Sequence, residues 1–270
     1  VDGTVAGQVK DEWGNPLANC HVSFAGQSVT TDFSGLFYFE AQAVNNKLEP
    51  LIVEHPDGKV FAQVSHFGSE VQYAQCVLPT GKQLYSYAAE QDHSFAPGPD
   101  LQFEVSADAF SAMGGQLYRG TVLYAFRDFD LTRAVDFASV PFEGKVLDPF
   151  EGMQLLDIER LFFLDWQSPS GEQLQGKLVM QWEGAAVDGP LELWFFNGQE
   201  WERRPPVGQT INPGFQAELN QEGFWCLASA KKAITLKGQA TWGNTRLANT
   251  RVQLREGSGK VVAAGVTNNR

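Results

Sequence analysis

Residues Gly7 to Ser34 read GQVKDEWGNPLANCHVSFAGQSVTTDFS, and residues Gly238 to Arg270 read GQATWGNTRLANTRVQLREGSGKVVAAGVTNNR. Both stretches open with Gly-Gln, carry Trp-Gly-Asn at 13–15 and 242–244, and continue with Leu-Ala-Asn at 17–19 and 247–249. A valine follows at 22 and 252, then a Thr-Asp or Thr-Asn step at 31–32 and 267–268. Agreement in both order and spacing marks a repeat of one domain type. The chemistry of the first copy is that of a sheet. Thr4 to Val9 reads as a short strand, and Asp11-Glu12-Trp13-Gly14-Asn15-Pro16 as a turn whose Gly and Asn permit positive φ. Asn19 to Phe24 is a second strand with Cys20, Val22 and Phe24 on one face. Thr31 to Gly35 makes another turn, and Leu36–Glu40, Leu51–Glu54, Val60–Val64 and Val71–Leu78 supply the remaining strands. Some seven short strands within about 80 residues predict a β-sandwich.

The order Gly7-x-Val9, turn, Gly14-Asn15-Pro16-Leu17, strand, Thr31-Asp32-x-x-Gly35-x-Phe37-x-Phe39 resembles the carboxypeptidase regulatory-like domain. The resemblance covers residues 1–80 well and 233–270 in part. It implies a Greek-key sandwich of the transthyretin (prealbumin-like) type, common in secreted and surface proteins of Bacteroidota and related bacteria. It also implies a non-catalytic module used for folding, spacing or binding. The second copy reaches Arg270 before any counterpart of Gly35 and the strand that follows it. The expectation is therefore that the sequence is a piece of a longer protein; the sharper alternative is completion by strand addition from another chain.

Between the copies, Gly81 to Asp100 reads as a linker or crossover, ending in Ala96-Pro97-Gly98-Pro99-Asp100. From Leu101 the alternation of strands resumes. Leu101, Phe103 and Val105 share a face, as do Tyr118, Val122, Tyr124 and Phe126, and then Leu178, Met180 and Trp182. Met153 to Trp166 fits either a helical face or a strand, and the aromatic density and neighbouring turns favour the strand. Residues 101–232 are thus predicted to form a second, larger β-sandwich. The fold class expected is all-β: tandem sandwiches over 1–80 and 101–232, with the start of a third over 233–270.

Composition agrees. Among 270 residues there are 20 Phe, 7 Trp, 27 Gly and 13 Pro, a mixture that favours pleated sheets joined by tight turns. The net charge of −12 offers no electrostatic footprint for nucleic acid, and an anionic membrane would repel it. No apolar stretch is long enough to span a bilayer as a helix. Cys20, Cys76 and Cys226 are widely spaced, and the four histidines are scattered, so no zinc site is implied. Buried, inert thiols are the expectation, with a Cys20–Cys76 bridge as the alternative.

Chemistry is sparsely signalled. There is no G-x-S-x-G, and His21 should point outward, opposite Cys20 and Val22. Asp128 with Asp130, and Asp157 with Glu159, are carboxylates two residues apart. On a strand such pairs share one face, which describes a solvated surface as well as a glycosidase site. Structural Ca²⁺ is the better use of acidity: Asp11, Glu12 and Asn15 crowd one turn, and Asp128 and Asp130 another, although neither forms an Asp-x-Asp-x-Asp-Gly loop. Trp194, Phe196 and Trp201 are candidates for a carbohydrate platform. Because Trp194 and Phe196 lie opposite Leu193 and Phe195, a strand buried on both faces or a domain contact explains them equally well. No catalytic residue and no cofactor beyond that calcium is expected. The function expected is a structural or adhesive module of an extracellular or cell-surface protein, able to form fibres. Its partners would be neighbouring domains or subunits, a glycan or a surface protein. The alternative is a carbohydrate- or protein-binding accessory module of a larger secreted enzyme.

Overall fold

The computed structural model describes residues 2–11, 13–43, 48–55, 60–66, 72–78, 83–133, 136, 140–148, 152–184, 191–198, 200–204, 214–232, 238–247 and 251–266. Glu12 and the Thr267-Asn268 step lie outside them. The chain is all-β. Its first unit comprises β1 (Asp2–Asp11), β2 (His21–Phe24), β3 (Gln27–Thr30), β4 (Leu36–Ala43), β5 (Leu48–Glu54), β6 (Val60–His66) and β7 (Gln72–Leu78). They form two sheets, β4-β1-β7 and β3-β2-β5-β6, in which β1 is antiparallel to β4 but parallel to β7. Alternation drives the packing: Val5 and Val9 of β1, Val22 and Phe24 of β2, Phe37 and Phe39 of β4, and Cys76 and Leu78 of β7 all close one core. Gly7, first residue of the repeat, sits where the Phe37 ring crosses β1. A Cβ there would lie 2.4 Å from that ring and 2.3 Å from the Ala74 carbonyl oxygen.

The Thr-Asp step has a structural role. Thr31, 3% exposed, donates its hydroxyl to the Leu17 carbonyl (2.8 Å) and accepts the Cys20 N–H (2.9 Å). Asp32 accepts the N–H groups of Ser34 and Leu36, closing the turn that launches β4. Gly35 follows at φ +70°, with the Val9 carbonyl oxygen 2.3 Å from where a Cβ would stand, so only glycine fits.

The middle unit contains β8 (Gln83–Ala88), β9 (His93–Gly98), β10 (Leu101–Val105), β11 (Ser111–Ala112), β12 (Thr121–Phe129), β13 (Lys145–Asp148), β14 (Gly152–Gln167), β15 (Leu174–Gln175), β16 (Leu178–Trp182), β17 (Glu192–Phe196), β18 (Trp201–Arg204), β19 (Phe215–Leu219) and β20 (Gly223–Lys232). A four-stranded sheet, β19-β16-β10-β9, faces a seven-stranded one, β18-β17-β20-β14-β12-β8, with β13 added on β14. Phe103, Tyr124, Phe126, Phe162, Trp166, Leu193 and Trp225 fill the space between. Each large side chain buried there contributes roughly 1.5–3 kcal/mol of transfer free energy. The ambiguous stretch at 153–166 is a strand, the long β14. Within the stretch expected to be a linker or crossover, the described residues 83–100 are built into the sandwich: β8 and β9 are edge strands of the two sheets, held by Tyr85 and Tyr87 against His93 and Phe95.

The seven-stranded sheet is apolar on its other face too. Phe129, Leu161, Phe163, Trp194, Phe196, Trp201, Phe224 and Cys226 form a second buried layer there. Ile52 from β5 packs against it from the first unit. The C-terminal segment adds β21 (Thr241–Trp242), β22 (Thr245–Arg246), β23 (Arg251–Arg255) and β24 (Val261–Val266). Its hairpin β23-β24 inserts Val261, 1% exposed, into the same layer. Val261 also donates its N–H to the Leu131 carbonyl, and Arg255 donates to the Thr132 carbonyl.

Candidate functional site

The aromatic candidates lie in that second layer. Trp194, Phe196 and Trp201 are 5%, 5% and 3% exposed, so they present no open platform. The register explains this: Leu193 and Phe195 point into the sandwich while Trp194 and Phe196 point the other way, and both sides are covered. Phe196 packs on Trp201 at 5.5 Å between ring centroids, and Trp201 donates its indole N–H to the Pro141 carbonyl at 2.8 Å. The strand is buried on both faces, and on the outer one Ile52 of the first unit and Val261 of the C-terminal hairpin pack into the same layer.

The acidic candidates are each engaged separately. Asp11 accepts the N–H groups of Trp13 (3.0 Å) and Asn15 (2.7 Å), and the Asn15 side-chain amide at 2.8 Å, so it builds the β1–β2 turn. Asp128 and Asp130 line an open cleft of about 510 Å³ with Gln83, Arg127, Arg133 and Asp136. They do not converge. Asp130 accepts the N–H and hydroxyl of Thr132, and these bonds hold its carboxyl below the usual range. Asp128 pairs with Arg160 at 2.6 Å; burial pushes its carboxyl up, and the guanidinium offsets this only in part. The nearly buried Asp136 accepts from Arg127 (3.0 Å) and from the Asp130 N–H (3.1 Å). Among the described residues no group of three or more His, Cys, Asp or Glu is placed to hold a metal ion.

Three polar clusters join residues far apart in the sequence, which had singled out only their acids Asp128, Asp157 and Glu159. Arg160 follows a bulge in β14 and reaches across the sandwich edge to Asp100 (2.8 Å) as well as Asp128. Burial raises the Asp100 carboxyl, but Arg160 and the Trp182 indole N–H outweigh it and hold the group below its ordinary value. Asp157 receives Lys260 at 2.9 Å and Lys231, tying β24's approach to the large sheet; against the opposing effect of burial, these two ammonium groups depress its carboxyl. Asp165 of β14 and Glu222 form a carboxyl pair, in which burial and then the Asp165 charge push Glu222 up to about 8. His93 is held at both ring nitrogens, with Nδ1 2.9 Å from the Gln91 carbonyl oxygen and Nε2 2.9 Å from the Tyr124 hydroxyl.

All three cysteines are buried and none is joined in a disulfide, so Cys20 and Cys76 are not bridged. Burial, then the neighbouring Cys20, pushes the Cys76 thiol far above its ordinary value, and burial does the same to Cys226, so neither is a nucleophile at neutral pH. Exposed aromatics lie elsewhere: Trp13 (70%) and Trp242 (80%) stand at equivalent turns of the two repeats, and Phe33 (87%) at the Thr-Asp turn. No family model and no curated protein matches this sequence.

Proposed function

We propose that this chain is a non-catalytic structural or adhesive module of an extracellular or cell-surface multi-domain protein, carrying one carboxypeptidase regulatory-like sandwich and an incomplete repeat of it. The observation that supports it is the double-sided burial of the seven-stranded sheet. Ile52 of the first sandwich and Val261 of the C-terminal hairpin pack into one apolar layer on the middle one. Domains meant only to tether a catalytic unit are joined by mobile links, whereas a continuous apolar layer fixes spacing and direction. The polar groups fit this reading, since Asp11, Thr31, Asp32 and Arg160 hold turns and strands in place. Electron microscopy of the native material, with a panel of hydrolase substrates, tests it. Ordered rods or arrays support the proposal; turnover abolished by a single substitution in this segment overturns it.

One observation favours glycan binding as a second reading: two exposed tryptophans at equivalent turns, Trp13 and Trp242. A glycan array with the intact chain and a Trp13→Ala, Trp242→Ala double variant decides this. Binding lost in the variant favours an accessory module, and no binding by either form disfavours it.

A further inference from the structure

The two repeats treat the same positions differently. Val22 and Phe24 of β2 are buried to 0% and 2%, with Phe24 resting on Phe39 at 6.0 Å. Their counterparts in β23, Val252 and Leu254, are 47% and 45% exposed. The register gives the reason. Arg255 pairs with Val261, and this side of the hairpin docks on the middle unit. Val252 and Leu254, paired with Gly265 and Ala263, lie on the opposite side, so the face that forms the core in the first copy looks outward here.

A second bare face lies on the first unit. On the outer side of β4-β1-β7, Ala6 is paired with Tyr38 on one flank and Tyr73 on the other. The two tyrosines are 51% and 47% exposed, and Leu36 beside them is 44% exposed. With strands about 4.8 Å apart, the rings stand roughly 10 Å from each other across the Ala6 methyl, leaving a slot one strand wide. Among the described residues, the first sandwich meets the middle unit's apolar layer through Ile52 of β5, which belongs to the other sheet.

Charge selects the occupant. Residues 233–270 hold six Lys or Arg against Glu256 alone, a net of +5, in a chain of net −12. Residues 1–78 hold nine Asp or Glu against three Lys, a net of −6. Pairing two C-terminal hairpins would set +5 against +5, whereas hairpin on first unit sets +5 against −6. We propose that the Val252/Leu254 face of one molecule docks on the Leu36/Tyr38/Tyr73 face of a second copy, a head-to-tail contact that propagates along a chain of molecules. Such a contact is heterologous and does not close on itself as a two-fold dimer does. The association deepens the structural-module reading and rests on it for its purpose. Its measurement is separate, because it counts molecules rather than testing for catalysis.

The patch is small, so the contact belongs with weak, transient interfaces. Sedimentation velocity of the intact chain from about 10 to 300 µM, at about 20 mM and about 500 mM NaCl, reads it out. Expected are dimers and longer species that grow with concentration and recede at least threefold in the higher salt. Leu254→Glu and Tyr38→Lys each place a repelling charge at an exposed position and should leave monomers. Val252→Gln gives a second hairpin variant should Leu254→Glu fold poorly. Mixing the hairpin variant with Tyr38→Lys restores one sound pair of faces, so dimers return but nothing longer forms. A monomer under every condition overturns the proposal. So does association that neither substitution weakens, or loss in both variants without recovery on mixing, which would mark a two-fold contact.

Discussion

Glu222 stands just ahead of β20, half-buried, with its carboxyl hydrogen-bonded to that of Asp165. Burial and the neighbouring charge carry its pKa from an ordinary 4.5 to about 8. The folded chain therefore keeps a proton here that the unfolded chain has released. Between these values the native state binds more protons than the unfolded state, so stability falls as pH rises. The contribution is fully present below about pH 4.5 and is lost as pH passes through about 8. At about 1.36 kcal/mol per pH unit the ceiling is about 5 kcal/mol. Partial exposure and screening cut this to about 1–2 kcal/mol. Glu222→Gln keeps the shape, supplies an amide that can donate to Asp165, and removes the titration. Urea unfolding at pH 5.5, 7 and 9 should show the wild type losing about 1–2 kcal/mol relative to the variant across that range. Taking the difference between the two proteins cancels the titrating groups that do not touch Glu222, so the readout belongs to the Asp165–Glu222 pair. Parallel curves for wild type and Glu222→Gln from pH 5.5 to 9 would refute the reasoning.

Further outcomes are expected from three other perturbations. Arg160→Gln leaves Asp100 and Asp128 without their shared cation; because both carboxylates are 40–45% exposed, the loss is about 1–2 kcal/mol by chemical denaturation, and it shrinks in acid as they protonate. Trp201→Phe removes the indole bond to the Pro141 carbonyl within the second apolar layer and costs about 1–2 kcal/mol in the same assay. Iodoacetamide should leave the native chain unmodified and add three adducts in denaturant, read by intact mass; rapid native labelling of Cys76 or Cys226 would contradict their burial.

The sandwiches were legible wherever one face is apolar and the other is not. Leu101, Phe103 and Val105 announce β10, and Val22 with Phe24 announces β2, because burial follows the period-two pleat. Strands β8 and β9 were not legible. In β8 the outward residue is Leu84, 76% exposed, and the inward ones are tyrosines, so the hydropathy contrast is inverted. In β9, Pro97 reads as a breaker, yet an edge strand tolerates it because one of its sides carries no ladder bonds. The double apolarity of β17 was visible, and its cover was not, since that comes from Ile52 and Val261, far away in sequence. Distance also hid the polar clusters: Arg160 meets partners 60 and 32 residues back, and the Asp165–Glu222 pair spans 57 residues. Proximity in the sequence misled in the opposite sense, grouping Asp128 with Asp130 although the fold gives each a different partner.

The parallel pairing of β1 with β7 has a mechanical consequence. Seven consecutive residue pairs, from Val5 with Gln72 to Asp11 with Leu78, join the first strand of the sandwich to its last. Pulling the start of β1 away from the end of β7 loads that ladder along its length, so its hydrogen bonds share the force and must fail together. An antiparallel pairing of the same two strands would peel apart one bond at a time. A rod of such modules would resist stretching through the geometry of a single strand pair, with the expected signature of an abrupt, high-force rupture of the first sandwich in single-molecule pulling.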